Sequence, residues 1–131
     1  MPVTGGLGFI GSNLCLRLVR EGAAVTVIDS AVPGCGANRF NLNKVAGLVR
    51  ILDCDIGDTN RLRNEVPTPD VVFNVAGEIS HSMSMSHPER DLEINTCSQL
   101  RFLRFCLQQF PGIRVVYAAP AALWKTSIPA G

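Results

Sequence analysis

The chain has 131 residues, 47% of them hydrophobic, 18% charged and 6% aromatic, with a formal net charge of +1. One domain is the expectation at this length, since domains usually run to about 100–200 residues, and so apolar a chain is not disordered. The balanced charge excludes the basic excess of a nucleic-acid or anionic-membrane binder, and no run reaches the ~18 apolar residues of a membrane span.

Residues 1–16 lack charge, but they carry no basic leader, and Gly5, Gly6, Gly8 and Gly11 interrupt any apolar signal helix. The first strand is short, Met1 to Thr4, and the glycine loop follows it. A helical stretch is predicted from about Ser12 to Glu21, with Leu14, Leu18 and Val19 on one face and Gly22 as its stop. Ala24 to Asp29 reads as a buried strand, ended by the Pro33-Gly34 breaker. Leu48 to Leu52 reads as a third strand with Asp55 to Asp58 as its exit. Asp58 or Thr59 can cap a short helix through Glu65.

Pro67-Thr68-Pro69 leads into a fourth strand, Asp70 to Val75, and a polar Ser/His/Met loop is expected over Glu78 to Ser86. Beyond Pro88 lies the longest helical stretch, with Leu100, Leu103, Leu107 and Phe110 at helical spacing and Arg101 and Arg104 on a solvated face. Pro111-Gly112 ends it, and Ile113 to Ala118 supplies a fifth strand, where Tyr117 is expected to pack. Alternating strands and helices make an α/β fold, a Rossmann-like doubly wound parallel sheet of about five strands, truncated relative to the full pattern.

Chemistry concentrates in the loop Val3-Thr4-Gly5-Gly6-Leu7-Gly8-Phe9-Ile10-Gly11, between a strand and a helix. Amides at a helix start that must approach a pyrophosphate closely leave no room for side chains, and the helix dipole favours the negative charge. Gly5 suits the tight turn, Gly8 the approach to phosphate, and Gly11 the packing of helix on strand. Asp29 ends the next strand, 18 residues beyond Gly11. A carboxylate there accepts hydrogen bonds from ribose hydroxyls and repels a 2′-phosphate, which favours NAD over NADP.

The segment Thr4 to Gly11 resembles the opening motif of the extended short-chain dehydrogenase/reductase family, which includes the nucleotide-sugar epimerases and dehydratases. Asp55-Ile56 is similar to that family's adenine-contacting pair, Val75-Ala76-Gly77 to the strand-four end along the cofactor, and Ile94-Asn95 to its central asparagine element. Asp91 to Asn95 also resembles the nucleoside-diphosphate-sugar epimerase branch. The resemblance runs from about Val3 to Trp124. It implies cofactor-binding roles for Gly5, Gly8, Phe9, Ile10, Gly11, Asp29, Asp55, Ile56, Val75, Ala76, Gly77 and Asn95. It also implies NAD as cofactor, a nucleotide-diphosphate sugar as the intact relative's substrate, and a homodimer built on the long helix.

The family's proton chemistry needs a tyrosine, a lysine four residues later and an orienting Ser or Thr, because a phenol of pKa about 10 is a poor base without a neighbouring cation. The sole tyrosine is Tyr117, and Ala121 stands four residues on. Pro120 occupies the place of the hydroxyl residue, and Trp124-Lys125 that of a Tyr-Gly pair. No catalytic residue is therefore assigned. Only Met1-Pro2 precede Val3, so both ends look cut, as in a fragment of a longer enzyme or a degenerate remnant, the latter favoured by Pro120. Residues 1–131 are expected to form one NAD-binding domain, the substrate domain being absent and the chain inactive by itself. The alternative is a catalytically silent module that senses NAD or mediates association.

His81 and His87, among serines, have neither a Gly-x-Ser-x-Gly elbow nor metal-ligand spacing, so they read as a solvated loop without a metal. The cysteines Cys15, Cys35, Cys54, Cys97 and Cys106 form no Cys-x-x-Cys pair. Buried thiols in a reducing compartment, and hence a cytoplasmic location, are expected.

Overall fold

A computed structural model describes residues 1–78 and 81–118. Five strands form one sheet: β1 (Pro2–Thr4), β2 (Val25–Asp29), β3 (Val49–Asp53), β4 (Val71–Asn74) and β5 (Arg114–Tyr117). Their order is β3-β2-β1-β4-β5, and every pairing is parallel, with Val3 opposite Val27 on one side and Phe73 on the other. Parallel strands need crossovers, and their apolar runs are buried because helices cover both faces. Alternation along β2 shows it: Val25 and Val27 join Val3, Leu7, Cys15 and Leu42 on one face, while Ile28 joins Leu52, Leu62, Val72 and Phe102 on the other.

Helix α1 (Phe9–Arg20) lies on the first face together with a 3₁₀ segment, Arg39–Val45. It starts at Phe9 rather than near Ser12, because the chain leaves the glycine turn already helical, with Gly8 as the extended N-cap. Ser12 sits inside the helix and its hydroxyl donates to the Phe9 carbonyl at 3.2 Å. Gly22, at φ +81°, ends α1 as expected, and the Ala23 amide returns to Leu18 O at 3.0 Å. Helix α2 (Thr59–Glu65) is capped by Asp58, whose carboxylate accepts from the Arg61 amide at 3.1 Å.

Three expectations fail beyond β4. The stretch read as a polar loop contains a short helix, α3 (His81–Ser86). The Ser84 hydroxyl ties it to Asp91 at 2.8 Å, a contact that no local pattern announces. The long helical region then runs as α4 (Pro88–Leu92), a π turn (Glu93–Cys97) and α5 (Ser98–Gln109). Two of its leucines face outward, Leu100 being 57% exposed and Leu107 70%, and Leu103 is half-buried. Gln99, Phe102, Phe105 and Cys106 are buried instead, with Phe105 packed edge-on against Phe110 at 5.6 Å. Aromatic rings bury more area than leucines, and polar anchors at Asn95 and Gln99 orient the rod toward β4. Tyr117 does not pack as expected either; at the end of β5 it is 46% exposed.

Candidate functional site

The chain builds β1, β2 and β3 outward in one direction and returns to place β4 on the other side of β1. Such a reversal leaves a crevice beyond the carboxyl ends of the two central strands. A cavity of about 240 Å³ lies there. Gly5, Gly8, Phe9, Ile10 and Gly11 line it from the glycine turn and the start of α1. Asp29 comes from the end of β2, Asp55 and Ile56 from the loop after β3, and Val75, Ala76 and Gly77 from the loop after β4. Eleven of the twelve residues singled out from sequence thus share one cavity.

The glycine turn has no space for side chains. A Cβ on Gly11 would lie 2.1 Å from the Gly5 carbonyl oxygen, and one on Gly5, at φ +64°, 2.8 Å from the Ala76 Cα. Gly11 therefore lets the helix close on the turn itself rather than on strand β1. Neither a side chain caps α1 nor an acidic residue stands in its first turn, and Phe9 and Ile10 are 82% and 65% exposed. The first amides of α1 remain available to an anion, and the helix dipole adds to their attraction. Among the described lining residues there are carboxylates but no Lys or Arg, so phosphate binding would rest on those amides.

Asp29 has a double part. Its Oδ2 accepts from the Leu7 amide and its Oδ1 from the Ala31 amide, each at 2.9 Å. The first bond holds the glycine turn against β2, and the second holds Ala31 at φ +48°, a backbone conformation rare outside glycine. Each carboxylate oxygen has a second lone pair, so Asp29 can still accept from ligand hydroxyls. Asp55 is arranged similarly: Oδ1 accepts from the Gly57 amide at 2.6 Å and the Ser98 hydroxyl at 3.0 Å.

Below the cavity a buried polar chain fixes β1, β4 and α5 together. The Thr4 hydroxyl donates to Asn74 Oδ1 at 2.6 Å and accepts from the Val75 and Ala76 amides at 3.1 Å. Asn74 Nδ2 donates to Gln99 Oε1 at 2.8 Å, and Gln99 Nε2 donates to the Ala76 carbonyl at 2.9 Å. Fully paired networks of this kind rigidify what they join. Asn95 lies behind the wall rather than in the cavity lining. Its Oδ1 accepts from the Glu78 amide at 2.8 Å, and its Nδ2 donates to Glu78 O and to Asp91 Oδ1 at 2.9 Å.

Sequence reasoning missed Cys35, Glu78, Ser98 and Gln99, which also line the cavity. Cys35 donates from its thiol to Glu78 Oε2 at 2.6 Å. Burial pushes that thiol above its ordinary pKa, and the Glu78 carboxylate adds to the effect. No local signal marks these four, because each reaches the cavity from a loop or helix brought there by the sheet order. Pro120 and Trp124-Lys125 lie outside the described residues. No helix among the described residues is long and apolar enough to cross a membrane.

The chain is similar to proteins of known sequence and structure. It is 28% identical over 127 residues to a UDP-N-acetyl-alpha-D-glucosaminuronate decarboxylase of Bacillus cytotoxicus, covering 97% of the chain and 38% of the enzyme. It is 26% identical over 119 residues to a CDP-paratose 2-epimerase of Salmonella typhi, covering 89% and 35%. Among solved structures, the UDP-glucose 4-epimerase of Thermotoga maritima with UDP-glucose superposes with a TM-score of 0.77 at 27% identity, over 88% of this chain and 36% of that one. The Bordetella bronchiseptica enzyme WbmF in complex with NAD+ and UDP gives 0.77 at 32% identity, over 90% and 34%. The chain thus spans only 38% and 35% of the curated relatives named. The sequence model of one family matches residues 1–124, which include the whole glycine turn and every wall of the cavity, and so the chain belongs to the NAD dependent epimerase/dehydratase family.

Proposed function

We infer that this chain is the NAD-binding portion of a protein acting on nucleotide-diphosphate sugars. The observation that carries the reading is the uncapped start of α1 over a turn that admits no Cβ, with Asp29 in the same cavity. The amides of the first helical turn take the diphosphate, Asp29 the adenosine ribose, and Asp55-Ile56 the adenine. Val75, Ala76 and Gly77 form the wall along which the rest of the dinucleotide lies. Asn95 acts as a positioning residue, holding the loop after β4 by its backbone. NAD, when bound, supplies a reversible hydride acceptor.

The 131 residues contain no Tyr-x-x-x-Lys. Purified alone, they hold the cofactor and turn over no UDP-, GDP- or CDP-sugar. The outward apolar face at Leu100 and Leu107 takes a second copy of the chain, and the five free cysteines fit a cytoplasmic setting.

Calorimetric titration with NAD and NADP tests the reading. NAD binds more tightly, and Asp29→Asn weakens it by about tenfold to a hundredfold, the worth of hydrogen bonds to a charged group, while narrowing the gap to NADP. Equal or tighter NADP binding by the natural chain overturns the role of Asp29, and no binding of either overturns the whole.

A further inference from the structure

One contact at the cavity is left unused by that reading. Cys35 stands in the loop after β2 and Glu78 in the loop after β4, and β1 runs between these two strands. Their side chains nonetheless meet, the Cys35 thiol donating to Glu78 Oε2 at 2.6 Å. Arg90 of α4 completes the set, its Nη2 donating to the Cys35 sulfur at 3.8 Å. Cys35 and Glu78 both line the cavity whose wall includes Gly5 and Gly8. A ligand running from Asp29 to the loop after β4 crosses the end of β1, as this contact does.

The two sides differ in firmness. Glu78 is 6% exposed, and Asn95 grips both its amide and its carbonyl. Cys35 sits between Gly34 at φ +86° and Gly36 at φ +76°, both with open space around them. Glycines in that conformation let a loop tip move with little steric penalty. Because burial and Glu78 hold the thiol above its ordinary pKa, it keeps its proton near neutrality and remains a donor.

We propose that Cys35, Glu78 and Arg90 form a clasp over the diphosphate stretch of a bound dinucleotide, which leaves only when the Gly34–Gly36 tip lifts. The proposal rests on the reading of the cleft as an NAD site. A clasp slows exit and entry together, whereas a residue that only binds changes exit and affinity in parallel.

Stopped-flow release of NADH into excess NAD, and its association rate, are measured for the 131-residue chain and for Cys35→Ala, Arg90→Gln and Cys97→Ala, with thermal melting as the check on folding. Cys35→Ala and Arg90→Gln each release NADH about tenfold faster, the equivalent of one hydrogen bond, and associate faster too. Cys97→Ala, at a residue that is not part of the cavity lining and not bonded to the three, behaves as the natural chain. Release by the folded variants at the natural rate, or faster release with unchanged association, overturns the clasp while leaving the NAD site standing. Absence of any NADH binding by the natural chain overturns the NAD reading and the clasp with it.

Discussion

Replacing Gly11 by alanine tests the geometry on which the cavity depends. The added Cβ would lie 2.1 Å from Gly5 O and 2.7 Å from the Gly6 Cα, both backbone atoms. No side-chain rotation relieves that overlap, so the Gly5 peptide must move. Its carbonyl now accepts from the Gly8 amide at 3.1 Å, and that bond shapes the turn. Overpacking of this kind costs about 1–3 kcal/mol, and a lost hydrogen bond adds about 1 kcal/mol. Alanine in place of glycine near a helix start returns at most about 1 kcal/mol through helix propensity. The net expectation is a loss of about 1–3 kcal/mol, or about 4–11 °C in Tm for a domain of this size. Gly47→Ala is the reference, since its Cβ meets nothing within 4 Å. Urea unfolding of both variants gives the comparison, with the midpoint lowered for Gly11→Ala and the slope unchanged. If Gly11→Ala proved as stable as Gly47→Ala, the turn would not be closed on itself and the cavity wall would be wrong.

Further outcomes follow from packing, polar pairing and titration. Phe102→Ala, at a residue 1% exposed, costs about 3–5 kcal/mol, while Leu107→Ala, 70% exposed, costs less than about 0.5 kcal/mol in dilute monomer; denaturant midpoints decide between the two faces of α5. Thr4→Val keeps the shape but strands the Val75 and Ala76 amides and Asn74 Oδ1. At about 1–3 kcal/mol for each stranded group that stays dry, a loss below about 1 kcal/mol would refute the network's worth. Burial pushes the Cys15 thiol up to about 12 and the Cys106 thiol up to about 11, from an ordinary 9.0. The unfolded chain then sheds these protons first as pH rises, so stability falls from about pH 9 to about pH 12 and these thiols add no slope below that window. Urea midpoints across pH 8–11 check the sign, and Cys106→Ala must fall less steeply than the natural chain.

The legibility of this protein in its sequence divides by the range of the forces involved. The glycine turn was readable because its constraint is local: residues that must bend sharply and expose amides have little choice but glycine. The five strands and the Asp58 cap were readable for the same reason, through apolar runs and a side chain serving its own helix. Asp29 could be placed at a strand end from spacing alone, and the structure adds that it also holds the Leu7 amide. Helix α3 was not legible, since the tie from Ser84 to Asp91 joins a segment that looks polar and loop-like to the separate helix that follows it.

Long-range order decided the rest. Leucines and phenylalanines share α5 at similar spacings, so periodicity alone could not say which face turns inward. Asn95 and Gln99, bonded to Glu78 and Asn74, settle the rotation and leave Leu100 and Leu107 outside. Cys35, Glu78 and Arg90 are far apart in the chain and carry no motif. They meet because β2 and β4 flank β1, an arrangement set by the strand order of the whole sheet rather than by any neighbouring residue. The sequence by itself determined the strands, the turn and the acidic strand end, because each is fixed by nearby backbone sterics and hydrophobic pattern. Only the tertiary structure decided which helix face is buried and which side chains meet at the cleft, because those choices balance burial and polar pairing over the whole sheet.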